Sequence, residues 1–368
     1  MLKNKTVVLG VTGSIAAYKI ANVASMLVKM HADVHVIMTE NATNFINPIT
    51  FETLTGNKCL VETFDRNFQF HVAHVSLADK ADVMLIAPAS ANIIAKLAYG
   101  IADDMLSTTA LAMKKKIIVS PAMNVNMFHN PVVQDNIEKL KQYGKIVIPP
   151  DNGYLACGTT GDGKMPSEQT LVNYILREIQ KEKDLAGKRI LITAGPTREV
   201  VDPVRFITNH STGKMGYAIA RQAMLRGAEV TLVSGPVSIT PPPFVNLVKV
   251  NSAEDMFKAV KEHYEDMDII IKSAAVADYT PVEVADEKIK KKDGDMSIKL
   301  KRTTDILSWL GENKKEGQII CGFSMETENM LENSKKKLFK KNVDMIAANS
   351  LRDEGAGFGT DTNHLMMI

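Results

Sequence analysis

Residues 6–19, TVVLGVTGSIAAYK, join an apolar run to a turn of small residues and then to a segment with helical spacing. A run that is apolar at nearly every position, rather than at alternate positions, is typical of a strand that is covered on both faces. A strand that enters a helix through such a turn is typical of a doubly wound α/β domain. This stretch therefore predicts a parallel sheet with helices on both of its faces.

Comparable apolar runs recur in both halves of the chain. In the first half they are DVHVIMT, DVMLIAP, KIIVSPA and GKIVIPP, and helical spacing is found at Ala16–Met30 and Ala91–Leu97. After a charged stretch with a glycine, KEKDLAGKR, the pattern restarts with KRILITAG, EVTLVSG, DIIIKSA, QIICGFS and DMIAANS. We interpret the charged stretch as a linker. The sequence thus predicts two tandem Rossmann-like doubly wound domains with mainly parallel sheets, residues 1–183 and 184–368.

Size and composition narrow the class of protein. The chain has 368 residues, 45% of them hydrophobic, which suffices for two buried cores. A net charge of +2 gives no reason to expect non-specific binding to nucleic acid or membranes. The three cysteines lie far apart, so neither a disulfide framework nor a structural zinc site is indicated. Without a signal-peptide pattern or a transmembrane run, a cytoplasmic protein is expected.

The first turn, Gly13–Ser14–Ile15, has two interpretations. Backbone N–H groups at the start of a helix can hold a phosphate, or Ser14 can simply cap that helix. The spacing does not match the GxGxxG fingerprint of dinucleotide-binding proteins. Thr39, Ser90 and Asn124 follow the ends of other predicted strands, where ligands bind in open α/β sheets. These polar groups are suited to a flat, phosphorylated cofactor.

Four motifs occur in one order in the first half: GSIAAYK, APASANIIAKLAYGIADD, PAMNVNMF and LACGTTGDGKMP. Together they resemble the FMN-binding decarboxylases that act on peptidyl or pantothenoyl cysteine, in particular the phosphopantothenoylcysteine decarboxylases of coenzyme A biosynthesis. The resemblance implies that His74 is the catalytic histidine, that Asn124 holds the substrate carboxylate and that Cys157 donates a proton from a mobile flap. It also implies FMN contacts at Gly13, Ser14, Ile15, Thr39, Pro88, Ala89, Ser90, Asn92 and Ser107.

The residue types agree with that chemistry. Loss of CO₂ leaves a carbanion, and oxidation of the neighbouring substrate thiol by a flavin supplies the electron sink. An imidazole suits the handling of protons near neutral pH, and a protonated thiol suits the final proton donation. Taken singly, His74 is also explained as an ordinary histidine with His71 as its competitor, Cys157 as a loop cysteine, and Asn124 as a turn cap.

The second half contains the helix start NHSTGKMG, which offers N–H and hydroxyl donors and a lysine to an anion. A well-capped helix is the other interpretation, since Walker spacing is absent. This half resembles the CTP-dependent bacterial phosphopantothenate–cysteine ligases, which implies that Asn209 acts in an acyl-cytidylate step with Mg²⁺ held largely by the CTP phosphates. The resemblance implies CTP contacts at Ser273, Ala274, Asp278, Lys288, Thr304, Asp305, Ile306, Leu307, Phe323, Lys337 and Lys341.

Some positions depart from that ligase pattern. Thr303–Thr304 replaces the common Asn–Pro, Lys272 stands where a small residue is more usual, and Pro196 replaces a frequent glycine. Compared with relatives, a further strand and a terminal helix are expected beyond NHLMMI. These departures bear on the residues assigned to the cytosine pocket of CTP, and less on the reaction that the resemblance implies.

The fusion of the two resemblances is characteristic of bifunctional coenzyme A biosynthesis flavoproteins. It implies a large homo-oligomer, a dodecamer built from decarboxylase trimers and ligase dimers. Two rival functions remain open at this point: a nicotinamide-dependent dehydrogenase, against which the missing GxGxxG counts, and a non-catalytic flavoprotein, which would not need LACGTTGDGKMP.

Overall fold

A computed structural model describes residues 1–63, 73–154, 158, 160–291, 296–326, 329–350 and 359–368. The chain divides into two compact units, Met1–Lys181 and Glu182–Ile368. Within the described ranges, none of the helices combines the length and the apolar character needed to cross a membrane.

The first unit is built on a five-stranded parallel sheet in the order β2-β1-β3-β4-β5. Every position of β1 and β3 is buried, as expected for strands covered on both faces. A separate antiparallel hairpin, β6–β7, follows the sheet. The strands are β1 Thr6–Val11, β2 Asp33–Met38, β3 Val83–Ala89, β4 Lys116–Pro121, β5 Ile146–Val147, β6 Asp151–Tyr154 and β7 Thr160–Lys164.

Helices cover this sheet and supply the apolar side chains of its core. The helices are α1 Tyr18–Lys29, α2 Pro48–Thr55, α3 Ala73–Lys80, α4 Ala91–Tyr99, α5 Met105–Ala112, α6 Val125–Phe128, α7 Pro131–Gln142 and α8 Glu168–Ile179. On one face, Ile93 and Ile94 of α4 pack with Met84 and Ile86 of β3. The helix predicted at Ala16–Met30 begins with a short 3₁₀ turn, Ile15–Ala17, before α1.

The second unit has a seven-stranded sheet in the order β12-β11-β8-β13-β16-β17-β18, parallel except for its last edge strand. The main strands are β8 Arg189–Ala194, β11 Glu229–Ser234, β12 Asn246–Lys249, β13 Ile269–Lys272, β16 Ile319–Glu326, β17 Met345–Ser350 and β18 Met366–Met367. Two small antiparallel pairs lie outside it: β9 Glu199–Val200 with β10 Phe206–Ile207, and β14 Tyr279–Pro281 with β15 Leu300–Arg302. The helices are α9 Lys214–Leu225, α10 Ala253–His263, α11 Ile306–Glu312 and α12 Met330–Lys340.

The order of these strands fixes where a ligand can bind. From β8 the chain first builds outward to β11 and β12, and then returns to build β13, β16 and β17 on the other side. The crevice beyond the carboxyl ends of β8 and β13 is therefore a topological switch point, the usual ligand site of open α/β sheets. The prediction of doubly wound α/β units with mainly parallel sheets is confirmed.

Candidate active sites

The side chain of a buried threonine stabilises the turn that follows β1. Thr12, which is 1% exposed, donates its hydroxyl to the carbonyl oxygen of Pro88 at 2.7 Å and accepts the N–H of Ser90 at 3.0 Å. These bonds tie the turn that follows β1 to the end of β3. The predicted residues Gly13, Ser14 and Ser90 therefore lie at one edge of the sheet.

Two helix starts share this edge. The Ser14 hydroxyl oxygen accepts the N–H of Ala16 at 3.4 Å, and the Ser90 oxygen accepts the N–H of Ile93 at 3.4 Å. Both serines are only partly buried, and Ile15 is 57% exposed. Because both caps are long, these hydroxyls and neighbouring N–H groups can also serve an anionic ligand. The cap interpretation of Ser14 is therefore correct, and the phosphate interpretation stays a prediction that the cap does not exclude.

The end of β2 joins the same edge through Gly13. Thr39 donates its N–H to the carbonyl oxygen of Val11 at 3.0 Å, and the segment after it comes so close that a Cβ on Gly13 would lie 2.9 Å from the Cβ of Asn41. The close approach excludes a side chain at Gly13. The structure thus brings Gly13, Ser14, Thr39 and Ser90 together.

Ser107 and Asn92 are placed differently. The Ser107 side chain is 1% exposed and forms a capping box with Asp104, which uses both its hydroxyl and its N–H. Asn92 is exposed on the first turn of α4. The structure therefore gives Ser107 a structural task at the start of α5, and its cofactor contact stays a prediction.

His74 and Asn124 come to the carboxyl edge of the sheet from different elements. His74 is the second residue of α3, which ends three residues before β3 begins, so its first turn lies towards the edge where β3 ends. Asn124 follows β4 directly and caps α6 by accepting the N–H of Asn126 at 2.9 Å. The turn-cap interpretation of Asn124 is therefore correct, and it is compatible with a ligand contact at the same edge.

The hairpin β6–β7 is fixed beside Asn124. Met123 donates its N–H to the carbonyl oxygen of Gly163 at 3.1 Å. A Cβ on Gly163, whose φ is +123°, would lie 2.4 Å from the Met123 oxygen, and one on Gly161 would lie 2.8 Å from a methyl group of Val125. Cys157 belongs to the segment between the two strands and lies outside the described residues. The base of the predicted flap is nevertheless anchored next to Asn124.

In the second unit, hydrogen bonds tie together the two strand ends at the switch point. Ser273 donates its hydroxyl to the carbonyl oxygen of Thr193 at 2.7 Å, and the Thr193 hydroxyl oxygen accepts the N–H of Ala274 at 3.1 Å. A Cβ on Gly216 would lie 2.6 Å from the Cβ of Ala194 and 2.7 Å from the Ser273 hydroxyl. Glycine at this position lets the first turn of α9 approach the switch point closely.

Asn209 bridges two loops. Its Nδ2 donates to the carbonyl oxygen of Ala275 at 2.5 Å, and its Oδ1 accepts the N–H of Ser211 at 3.0 Å. Beyond it, Lys214 donates to the carbonyl oxygen of Gly359 at 2.7 Å and pairs with Asp361 at 2.8 Å. The NHSTGKMG turn is therefore held over the switch point by both of its polar ends.

A cleft of about 680 Å³ opens at this point, and we call it the switch-point cleft. Five residues predicted to contact CTP line it: Ser273, Ala274, Asp278, Phe323 and Lys337. Lys272, Asn349 and Asn363 also line it, although the sequence had not marked them as ligand contacts. The sequence contained a signal for two of them, because Lys272 departs from the usual pattern of the resembled ligases and Asn349 is a polar residue next to the end of the predicted strand DMIAANS.

The other predicted CTP residues are not in that lining. Thr304 and Asp305 are exposed at the start of α11, whereas the side chains of Ile306 and Leu307 are buried in the core. Lys341 forms an ion pair with Asp305. Lys288 is exposed. A contact of Ile306 or Leu307 with a nucleotide would have to be made by the backbone.

The segment that carries Lys288 is anchored by a buried aspartate. Asp202, which is 1% exposed, pairs with Arg205 and accepts the N–H of Ile289 at 3.1 Å. The Arg205 guanidinium donates to the carbonyl oxygen of Ile289 at 2.8 Å. The Arg205 side chain and three backbone N–H groups hold the pKa of Asp202 far below its ordinary value, so the anchor is charged at any physiological pH.

The cleft concentrates positive charge. Burial, together with the nearby charge of Lys337, lowers the pKa of Lys272 to about 8, while Asp305 and Asp278 act in the opposite direction. Lys337 donates to the carbonyl oxygen of Phe323 at 2.9 Å. No cluster of three metal-ligating side chains is found within the described ranges. An anionic ligand would relieve the repulsion between Lys272 and Lys337.

Comparison with known proteins assigns both halves to families. Residues 1–180 match the family model described as Flavoprotein, and residues 185–368 match that of the DNA/pantothenate metabolism flavoprotein C-terminal domain. Each model covers about half of the chain, and the two matches follow the division into two units.

Similar proteins are found over the whole length. The Coenzyme A biosynthesis bifunctional protein CoaBC of Bacillus subtilis is 49% identical over 99% of this chain and 90% of its own length. The protein of the same name from Haemophilus influenzae is 42% identical over 100% of this chain and 92% of its own. A Cysteine/Cysteine sulfinic acid decarboxylase from an unidentified prokaryote is 45% identical over 88% of this chain and 91% of its own. The chain therefore belongs to the family of bifunctional coenzyme A biosynthesis proteins, in which a flavoprotein decarboxylase half precedes a phosphopantothenate–cysteine ligase half.

Proposed function

We propose that the first unit uses FMN to decarboxylate 4'-phospho-N-pantothenoylcysteine to 4'-phosphopantetheine, and that the second unit makes that substrate from 4'-phosphopantothenate, cysteine and CTP. The observation that carries the ligase part is the cation-lined cleft at the switch point, beside a helix start rich in donors. Membership of the family supports the pair of reactions.

The residues at the rim of the first unit fit a phosphorylated flavin. Ser14 and Ser90 are partly buried, their caps are long, and Thr12 holds the two helix starts at one edge. Such a rim offers several N–H and hydroxyl donors to a phosphate. Gly13, Ile15, Thr39, Pro88 and Ala89 line the same turn and strand ends, and we propose that they complete the FMN site.

When bound, FMN would accept a hydride from the substrate thiol side chain and later return it. His74 would handle the proton at the substrate sulfur, since a histidine exchanges protons near neutral pH. Asn124 would orient the carboxylate that is lost, using its place directly after β4. Cys157 would donate a proton to the product carbon, and the anchored hairpin would deliver it once the substrate is in place.

In the second unit the reaction needs an activated carboxylate, because an ionised carboxylate is a poor acyl donor. The phosphopantothenate carboxylate would attack the α-phosphorus of CTP and release pyrophosphate. The cysteine amine would then attack the acyl carbon and release CMP. Lys272, Lys337 and Lys288 would offset the negative charge that grows on the leaving pyrophosphate, and Asn209 would hold the turn that covers the intermediate.

We propose that Mg²⁺ binds through the CTP phosphates, with Asp278 as the candidate protein ligand at the cleft. We also propose that the chain assembles into a homo-oligomer with decarboxylase trimers and ligase dimers. Exposed apolar side chains of the first unit support association: Tyr18, Ile49, Tyr99, Leu111 and Val132 are each more than half exposed.

Two measurements test these assignments. The purified protein should show the absorption spectrum of oxidised flavin, and mass spectrometry of the released chromophore should give FMN. Ligation should proceed with CTP and form CMP and pyrophosphate. A colourless protein that cannot be reconstituted with FMN, or ligation that requires ATP, would contradict the respective half of the proposal.

One relative favours a second candidate substrate for the first unit. The relative named a cysteine/cysteine sulfinic acid decarboxylase is 45% identical over most of this chain. We therefore expect a direct competition assay to be decisive. Release of CO₂ from free cysteine or cysteine sulfinate faster than from phosphopantothenoylcysteine, at equal concentrations, would favour that function.

A further inference from the structure

Two asparagines line the switch-point cleft without using their side chains in the fold. Asn349 is 4% exposed, and within the described parts of the chain its amide forms no hydrogen bond. Asn363 lines the same cleft, and its Oδ1 is buried with no hydrogen-bond partner among the described residues. Buried polar atoms are nearly always paired in folded proteins, because an unpaired one costs free energy.

The strand register explains why Asn349 faces the cleft rather than the core. Ile346 and Ala348 of β17 pack in the core cluster with α11, so Asn349 projects from the opposite face of the same strand. Asn363 reaches the cleft from the segment that precedes the antiparallel edge strand β18. Because Met366 of β18 pairs with Ala348 in antiparallel register, the stretch before β18 returns alongside the end of β17, and both stretches bring neutral amides to the lining of one cleft.

Their chemistry differs from that of the charged and donor-rich residues in the same lining. Around Ser211–Lys214 and Lys272 the lining offers donors and positive charge, which suit phosphate. A free amide oxygen instead accepts a hydrogen bond, which neither a triphosphate nor a carboxylate can supply. The complement of an amide is a neutral group that carries N–H beside an acceptor atom.

We propose that Asn349 and Asn363 form a subsite that recognises a neutral N–H-bearing edge of a ligase substrate. This inference rests on the proposed function of the second unit. Two sources there have this chemistry: the amino group and ring nitrogen of cytosine, and the amide of the pantothenoyl chain. Both asparagines are specificity-determining residues in this assignment, since each contacts substrate away from the reacting atoms.

The test uses the full-length enzyme with Asn349→Leu and Asn363→Leu, which keep the approximate shape and remove the polar atoms. Asn363→Asp keeps the acceptor. Asn246→Leu, at an exposed position on the far edge strand β12, is the matched control. For each variant we would measure the KM for CTP, the KM for phosphopantothenate, the decarboxylation rate and the melting temperature without ligands.

We expect the KM for one substrate, either CTP or phosphopantothenate, to rise about tenfold in both leucine variants. The same KM should recover partly in Asn363→Asp. It should stay at the wild-type value in Asn246→Leu. The unliganded melting temperature should stay the same or rise, because an unpaired buried amide has been removed. A rise in the KM for CTP identifies the nucleobase as the source, and a rise for phosphopantothenate identifies the pantothenoyl amide.

Unchanged KM values for both substrates would overturn the subsite. A lowered melting temperature with unchanged KM would show that the asparagines are structural, which also overturns it. If the unsubstituted enzyme does not ligate with CTP, the proposed function itself is wrong and the subsite falls with it. That result is seen before any variant is made.

Discussion

The charge of the Lys272 side chain depends on its neighbours in the switch-point cleft. Burial and Lys337 lower its pKa to about 8, well below the 10.5 of an ordinary lysine, while Lys341 adds repulsion and the two nearby aspartates oppose both. The folded protein therefore releases this proton as the pH rises through 8. A bound polyphosphate would favour the protonated form, so binding and protonation of Lys272 are coupled.

From this coupling we predict a pH dependence for CTP binding. Because the free protein loses the charge of Lys272 above pH 8, the affinity for CTP should fall by up to about tenfold between pH 7 and pH 9. Calorimetric titration across this range measures it directly. Lys272→Met should bind CTP more weakly at pH 7 and show a flat profile.

Lys258→Met is the control, since Lys258 lies on the surface in an exposed pair with Glu254. It should keep the wild-type profile. A wild-type slope in Lys272→Met would show that another group titrates.

Cys157 gives the second prediction at this scale. A serine hydroxyl is a much weaker acid than a thiol, so Cys157→Ser should still bind FMN and release CO₂ but accumulate the oxidised product instead of phosphopantetheine. Product analysis by mass spectrometry checks it. Formation of phosphopantetheine at the wild-type rate would rule out the donor role.

At the scale of elements, the glycines of the β6–β7 hairpin determine whether its base can lie beside Asn124. Gly163 has a φ of +123°, and a Cβ there would lie 2.4 Å from a backbone oxygen of Met123. That oxygen belongs to the backbone and cannot turn aside as a flexible side chain would. Any side chain at this position would therefore force the two segments apart.

We predict that Gly163→Val lowers the rate of decarboxylation at least tenfold without removing the flavin. The flavin spectrum and the rate of CO₂ release are the measurements. Gly144→Val is a suitable control, because Gly144 also has positive φ but nothing lies within 4 Å of its would-be Cβ. An equal loss in both variants would indicate general strain instead of a displaced hairpin.

The sequence predicted the elements that have strong periodicity. Every apolar run that was proposed as a strand forms one, from TVVLGV to DMIAANS, because runs covered on both faces have an unmistakable pattern. The two-residue strands of the β9–β10 pair were not predicted, since so short a pairing depends on tertiary contacts. The structural roles of Ser107 and Asp202 were also not predicted. Ser107 completes the capping box of α5 and Asp202 accepts the N–H of Ile289, and both roles depend on partners that only the folded chain supplies.

At the scale of the whole molecule, each of the two units has its own sheet and its own core cluster. Each also places its candidate site at the carboxyl ends of its own strands. Doubly wound sheets bind ligands at this edge whatever reaction they catalyse. The two candidate sites differ in their polar groups: hydroxyl and N–H donors in the first unit, and lysines in the second.

This organisation predicts that one substitution can disable the ligase and leave the decarboxylase intact. Gly216→Val would insert a branched side chain where a Cβ alone lies 2.6 Å from Ala194 and 2.7 Å from the Ser273 hydroxyl. It should push the first turn of α9 away from the switch point and lower ligation with CTP at least a hundredfold. Flavin content and decarboxylation of added phosphopantothenoylcysteine should stay within twofold of wild type, because the first unit keeps its own core. Both rates are measured on one preparation, with Gly163→Val as the reciprocal variant. A parallel loss of both activities in Gly216→Val would show that the sites depend on each other's fold, contrary to two units that are each complete around their own sheet.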